Sequence, residues 1–265
     1  IAVLTCVWLF VSASPAQASS LKYVGYYGGG YDCYTQSGGW TSNCVEHISE
    51  FAPYTNIVNF GLTDTALAQK AKDNGMKVVL AVDYCFFINP IYSWLLTYLE
   101  WDACKSAIDQ FYSQGNLYAF YFDEPRWNAN NYANNPSEGS LTVTDSGLAA
   151  AIAKLKQYYP GVRIMATEAD PGYSSNPYPG IDIYSIDSYG TSESYFTSLY
   201  NNLVSSFSGD IWVTAQSFDS NNVSPPTVAM LQAWFNLAAS NSRYSGLYWF
   251  MYPDASWGKG ALNYP

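Results

Sequence analysis

Leu117-Tyr-Ala-Phe-Tyr-Phe-Asp-Glu-Pro-Arg-Trp127 decides how the chain is read. The run from Leu117 to Phe122 is aromatic or apolar throughout, a pattern that predicts a buried strand. It stops at two adjacent carboxylates, Asp123 and Glu124. Pro125 then ends the pairing, because it has no N–H for the ladder and forces a turn. A buried strand that delivers acids to its C-terminal rim, beside Tyr121 and Trp127, matches where α/β barrels keep their chemistry. The plainer alternative is a strand whose terminal acids cap the next helix; Trp127 beside them favours a site.

Outward from this stretch, seven similar runs appear: Tyr23–Tyr27, Asn56–Phe60, Lys77–Asp83, Arg163–Glu168, Ile181–Asp187, Ile211–Ser217 and Gly246–Tyr252. Several are nearly continuous apolar stretches, as expected of parallel strands buried on both faces. Helical patterns lie between them. Thr65–Asn74 ends at Gly75, and Tyr98–Ser113 carries Leu99, Ala103, Ala107 and Phe111 at four-residue spacing. Asp145 caps a helix to Tyr158, and Ser192–Ser206 and Pro226–Ser240 supply two more. A short first helix is expected around Asn43–Phe51, and Ala169–Gly180 leaves no room for a full one. Strand then helix, repeated eight times, predicts a single-domain α/β fold, the closed (β/α)8 TIM barrel, over residues 19–265. An open doubly wound sheet is the alternative, although the first turn lacks the glycine fingerprint of a dinucleotide site.

Residues 1–18 read as a secretory signal whose basic start is missing: Val3–Val11 is apolar but too short to span a bilayer, and Ala16-Gln-Ala18 fits a cleavage site. Export to an extracellular or periplasmic space suits the cysteines. Four follow the signal, and four allow three pairings. Proximity suggests Cys33–Cys44 and Cys85–Cys104. Neither pair has zinc spacing, and His47 is the only histidine. The net charge of −10, with Lys and Arg totalling 11, argues against nucleic acid as a partner, and no stretch calls for a membrane. A monomer is expected.

The inventory narrows the chemistry. One histidine, placed between Glu46 and Ile48, gives little support to a Ser-His-Asp or Cys-His system. No metal or cofactor motif is present. What remains is a mouth lined by carboxylates and aromatic rings. With 25 Tyr, 13 Phe and 9 Trp, most rings must fill core, but those in polar loops suit the faces of sugars. Strand ends place Tyr27, Asp83, Tyr84, Asp123, Glu124, Glu168, Asp187, Tyr189, Gln216, Trp249 and Tyr252 around one cavity, with Trp127 following the fourth run. Carboxylates with pKa values pushed apart hydrolyse glycosidic bonds, one donating a proton while the other attacks or activates water.

The fourth run ending Asp123-Glu124-Pro125, with Trp249 in Gly246-Leu-Tyr-Trp-Phe-Met-Tyr-Pro253, resembles the glycoside hydrolases built on (β/α)8 barrels. In the largest such superfamily the fourth strand ends Asn-Glu and the eighth carries a Trp under the sugar. The resemblance implies Glu124 as proton donor, Asp123 in the Asn place and Trp249 as the sugar floor. It departs at the seventh strand, where that superfamily has its nucleophile Glu and this chain has Gln216. Chitinase-type barrels use Asp-x-Glu, whereas these acids are adjacent; spherulin-type and microbial galactosaminidase barrels do end the fourth strand Asp-Glu.

The second carboxylate is then Glu168, favoured because its strand adjoins the fourth, or Asp187, with Asp83 as a third option. The leading expectation is a secreted glycosidase acting on a polysaccharide or oligosaccharide without a cofactor. The alternatives are a non-catalytic carbohydrate-binding barrel and a metal-dependent hydrolase holding Mg²⁺ or Ca²⁺ on Asp83, Asp123 and Glu168.

Overall fold

The computed structural model describes residues 21–27, 31–34, 40–86, 101–125, 145–168, 177–220, 223–240, 243–250 and 258–259. Eight of their strands close into a parallel barrel: β1 (Tyr23–Tyr27), β4 (Ile57–Phe60), β5 (Lys77–Ala81), β6 (Leu117–Asp123), β7 (Arg163–Glu168), β8 (Ile183–Asp187), β9 (Asp210–Gln216) and β11 (Tyr244–Phe250). Outside it, β2 (Tyr31–Tyr34) pairs antiparallel with β3 (Trp40–Glu46), and β10 (Asp219–Ser220) with β12 (Gly258–Lys259). Six helices complete the described fold: α1 (Ile48–Phe51), α2 (Thr65–Asp73), α3 (Trp101–Ser113), α4 (Asp145–Tyr158), α5 (Glu193–Ser206) and α6 (Val228–Ala239). The (β/α)8 expectation holds. The helix expectation fails locally at Asn43–Phe51, where a β-hairpin takes residues up to Glu46 and leaves one helical turn. Residues 1–18 lie outside the described set, as do the side chains of Cys33 and Cys44.

Period-two alternation divides the barrel into two apolar layers. On the outer face Val58, Val78, Leu80, Phe120, Phe122, Ile164, Ile186 and Val213 pack with helix residues such as Leu67, Ile108, Phe111, Leu155 and Leu203. Each such side chain contributes roughly 1.5–3 kcal/mol by leaving water. The inner face carries Ile57, Val79, Ala119, Tyr121, Met165, Ile183, Trp212 and Tyr248. Two glycines make room inside. A Cβ on Gly25 would meet the Ile57 carbonyl oxygen at 2.0 Å, and one on Gly246 would meet the Trp212 ring at 2.3 Å. Trp212 thus fills the space that Gly246 leaves.

The N-terminal end of the barrel is closed. Tyr23 and Tyr118 stand 4.6 Å apart by ring centroid, with Trp212 against Tyr23 at 5.6 Å. Arg163 donates to the Tyr118 hydroxyl at 2.5 Å and to Asp210 at 2.6 Å. With that end plugged, the C-terminal strand ends are left to build a site.

Candidate active site

Strand β6 delivers the first acids. Asp123 keeps the inward parity of Ala119 and Tyr121, and Tyr121 donates its hydroxyl proton to Asp123 Oδ1 at 2.8 Å. Tyr27, on β1, supplies a second hydroxyl to the same carboxylate. Asp83, in the 3-10 turn Asp83–Cys85 after β5, accepts the backbone N–H of Asp123 at 3.0 Å. Burial raises the pKa of Asp123, and the two tyrosine hydroxyls partly offset that by favouring the anion. Burial also raises Asp83, and the charge of Asp123 adds to the rise.

Glu124 breaks the alternation. Parity would send it outward behind Phe120 and Phe122, but its φ is +40°, which makes it the one non-glycine residue with positive φ among the described residues. That conformation costs an L-residue roughly 1–2 kcal/mol, and Pro125 discourages the ordinary helical alternative at the residue before it. The turn puts the Glu124 carboxyl among the other acids. Its pKa is pushed up to about 9, first by burial, then by the charges of Asp123 and Glu168, while a hydrogen bond with the Asp187 carboxyl pulls it back.

Strands β7 and β8 close the ring of acids. Glu168 ends β7 and is buried, with charge that acts on both Glu124 and Asp187. Asp187 ends β8 on the inward parity of Ile183 and Ser185; burial, and after it the charge of Glu124, holds its pKa well above the usual carboxylate range. Asp187 Oδ2 accepts the Tyr189 hydroxyl at 3.2 Å. Its Oδ1 is buried and meets no partner at regular hydrogen-bond distance and angle, so the contact with Glu124 is a carboxyl–carboxyl approach rather than a well-aligned bond.

Beside the acids stands an aromatic wall. Tyr27 and Phe250, paired in register on β1 and β11, have ring centroids 4.9 Å apart. Tyr189 stacks on Phe250 at 5.3 Å with planes 21° apart, and Phe218 meets both rings edge-on, at 5.1 and 5.4 Å. Burying these rings brings most of the apolar area in the mouth.

Two sequence expectations are corrected here. Trp249 packs against the outer layer, on the helix side of the sheet, so it does not line the mouth as a floor. The reason is register: Trp249 sits beside outward Tyr26, while Phe250 sits beside inward Tyr27. Gln216 is inward but fully engaged. Its Oε1 accepts the Gly190 N–H at 3.0 Å, and its Nε2 donates to the carbonyls of Phe218 and Ser224 at 2.9 and 2.7 Å. It staples the loops after β8 and β9, with no donor left over for a substrate. Trp127 and Tyr252 lie outside the described residues, as does the side chain of Tyr84. Sequence reading missed Phe250 and Phe218; Gly246, a glycine where the inner face needs space, was the signal that fixed the parity of β11.

Asp83, Asp123 and Glu168 were the expected ligands of a metal alternative. Among the described residues, no three His, Cys, Asp or Glu side chains adopt a metal-holding arrangement. An open depression of about 670 Å³ lies at the other end of the barrel, against Lys156, Arg163, Asp182, Phe207 and Asp210. Its charges are already matched, Lys156 with Asp182 at 3.4 Å and Arg163 with Asp210 at 2.6 Å, and the acids of the mouth are not among its walls.

Comparison with known proteins found no matching family model and no curated sequence relative. Solved structures of similar shape include enzymes that act on glycans. A modular endo-β-1,4-mannanase of glycoside hydrolase family 26 from Cellulomonas fimi superposes with a TM-score of 0.57 at 12% identity, covering 92% of this chain and 70% of that one. A β-1,3-glucanosyltransferase from Rhizomucor miehei, an active-site mutant in complex with laminaritriose, gives 0.55 at 14% identity over 88% of both chains. Gas2p of Saccharomyces cerevisiae gives 0.51 at 17% identity over 88% of this chain and 54% of its own. At these identities the likeness establishes the barrel, and the chemistry must be argued from the site.

Proposed function

We propose that this chain is a secreted glycosidase that cleaves glycosidic bonds of a polysaccharide by a two-carboxylate mechanism. The observation that carries the reading is Glu124: a buried carboxyl turned out of its strand's alternation into a ring of acids that adjoins an aromatic wall. A group raised to about 9 is still protonated at neutral pH, the state a proton donor to a glycosidic oxygen requires. Asp123, held by Tyr27 and Tyr121, orients the donor and takes a substrate hydroxyl.

Glu168 is the better partner. The two carboxyls of such a pair stand about 5–5.5 Å apart in retaining enzymes and about 6.5–9.5 Å apart in inverting ones. Asp187 lies close enough to Glu124 to lower its pKa by a hydrogen bond, nearer than either route's spacing, whereas Glu168 acts on Glu124 through its charge. Asp187 instead shares a proton with the donor, and Glu168 attacks the anomeric carbon or activates water. Export is supported by the leader-like segment and by the Cys85–Cys104 disulfide, a bond that persists in oxidising compartments. The glycan-processing neighbours are consistent with a saccharide substrate.

The test is release of reducing ends from a panel containing laminarin, β-1,4-mannan and a galactosamine-containing glycan, using the parent chain and Glu124→Gln. Loss of at least about a hundredfold in turnover, the usual scale of a general acid, with glycan binding retained, is the expected result. Turnover that survives in Glu124→Gln overturns the assignment. Glycan binding without turnover in the parent would mean a carbohydrate-binding barrel.

A further inference from the structure

Tyr189 makes two contacts of different kinds. Its ring lies on Phe250, nearly parallel at 5.3 Å, and abuts Phe218. Its hydroxyl donates to Asp187 Oδ2 at 3.2 Å, and Asp187 in turn touches Glu124. No other described side chain both belongs to the apolar wall and donates to the Asp187–Glu124 pair. We propose that Tyr189 is a positioning residue that joins substrate binding to acid–base chemistry: its ring and Phe250 form the wall that takes the C–H face of a sugar, and its hydroxyl sets the Asp187–Glu124 pair. This rests on the glycan-acting reading.

The surroundings make the hydroxyl consequential. The groups acting on Asp187 and Tyr189 among the described residues are Tyr27 from β1, Tyr121 and Asp123 from β6, Glu124 just after it, and Glu168 from β7. All are acids or phenols, so the Tyr189 O–H is the neighbour that favours the Asp187 anion. Removing it drives the pair further towards its protonated form. Phe250 has no polar atom, and its only means of acting on substrate is its flat apolar face. Tyr189→Phe and Phe250→Leu therefore separate the two jobs.

Carboxyl carbon NMR of the parent and Tyr189→Phe, without any glycan, is expected to show the Asp187–Glu124 titration moving to higher pH. On whichever panel polysaccharide turns over, Tyr189→Phe should lower kcat about ten- to a hundredfold, the scale of a lost hydrogen bond to a charged group, with KM nearly unchanged and the alkaline limb shifted upward. Phe250→Leu should raise KM about tenfold, the worth of one lost ring contact, and leave the pH profile in place; Phe250→Trp should restore KM. Affinity electrophoresis in gels of laminarin or β-1,4-mannan reads the wall independently of turnover. A carboxyl titration unmoved by Tyr189→Phe overturns the proposal, as does a KM and gel retardation unmoved by Phe250→Leu in a folded variant. A parent that neither cleaves nor is retarded by any panel glycan overturns it as well. Retardation lost in Phe250→Leu, with no cleavage by the parent, supports the wall while refuting the hydrolase reading.

Discussion

At the scale of single residues, the mouth is governed by a conflict at Glu124. Its backbone sits where L-residues are disfavoured, and its carboxyl is buried among like charges. Both features oppose stability and survive only because the surrounding barrel imposes them, the pattern expected of a functional site. Two substitutions separate them. Glu124→Gln removes the ionisable group and keeps the strained backbone; Glu124→Gly removes both. Both should abolish turnover, and thermal melts should rank the two above the parent, with Gly gaining from its freedom at positive φ. A gain of 1 kcal/mol corresponds to about 2–4 °C in a domain of this size, so shifts of at least that order are expected near pH 8. A parent that melts above both variants would show that Glu124 holds the fold together rather than straining it.

Between residues and the whole lie the elements, and here two staples carry weight. Gln216 fixes the loops after β8 and β9 through three backbone groups. Gln216→Leu leaves those groups unpaired, and a buried unmatched polar group costs about 1–3 kcal/mol; melting should fall by several degrees with the acids' own residues untouched. Gln216→Glu, which would put a carboxylate at the end of β9, should gain no activity, since that side chain is tied to loops. The Cys85–Cys104 disulfide closes a loop of 19 residues and ties α3 to the turn that bears Asp83. Its removal as Cys85→Ala/Cys104→Ala should cost about 3 kcal/mol through the unfolded chain, read by denaturant midpoints. Most of this layer was legible in sequence. The runs Tyr23–Tyr27, Leu117–Asp123 and Arg163–Glu168 match β1, β6 and β7 end for end, because aromatic and apolar runs stopped by glycines in the first case and by acids in the other two leave little choice. The first helix was misread because Asn43–Glu46 pairs with β2, a tertiary contact that local pattern does not carry. Trp249 was misassigned because Leu247-Tyr-Trp-Phe250 is apolar on both faces, so alternation alone does not say which ring points inward.

For the whole molecule, the closed barrel means that the acids of four strands share one low-dielectric mouth and titrate as part of a single folding unit. Burial is the largest cause of the rise at Asp83, Asp123, Glu124 and Asp187, so each binds its proton more tightly folded than unfolded. The sign follows directly. A group whose folded pKa lies above its unfolded value gives stability that is complete below the unfolded pKa and is lost as pH rises through the folded one. For Glu124 that window runs from about 4.5 to about 9. The exposed Asp109, lowered by its bond to Lys105, acts in the opposite sense but is open to solvent and weighs little. The net charge of −10 adds repulsion at high pH, but that part is screened by salt within about 10 Å at 0.1 M, whereas the buried acids are not. Thermal melts of the parent should therefore decline steadily from pH 5 to pH 9, with the decline persisting in 0.5 M NaCl. In Glu124→Gln the slope should flatten, since a group that titrates between about 4.5 and about 9 is gone. A parent whose melting temperature rises between pH 5 and pH 8, or whose decline disappears in salt, would mean that surface charge and not the buried mouth sets the pH response of this barrel.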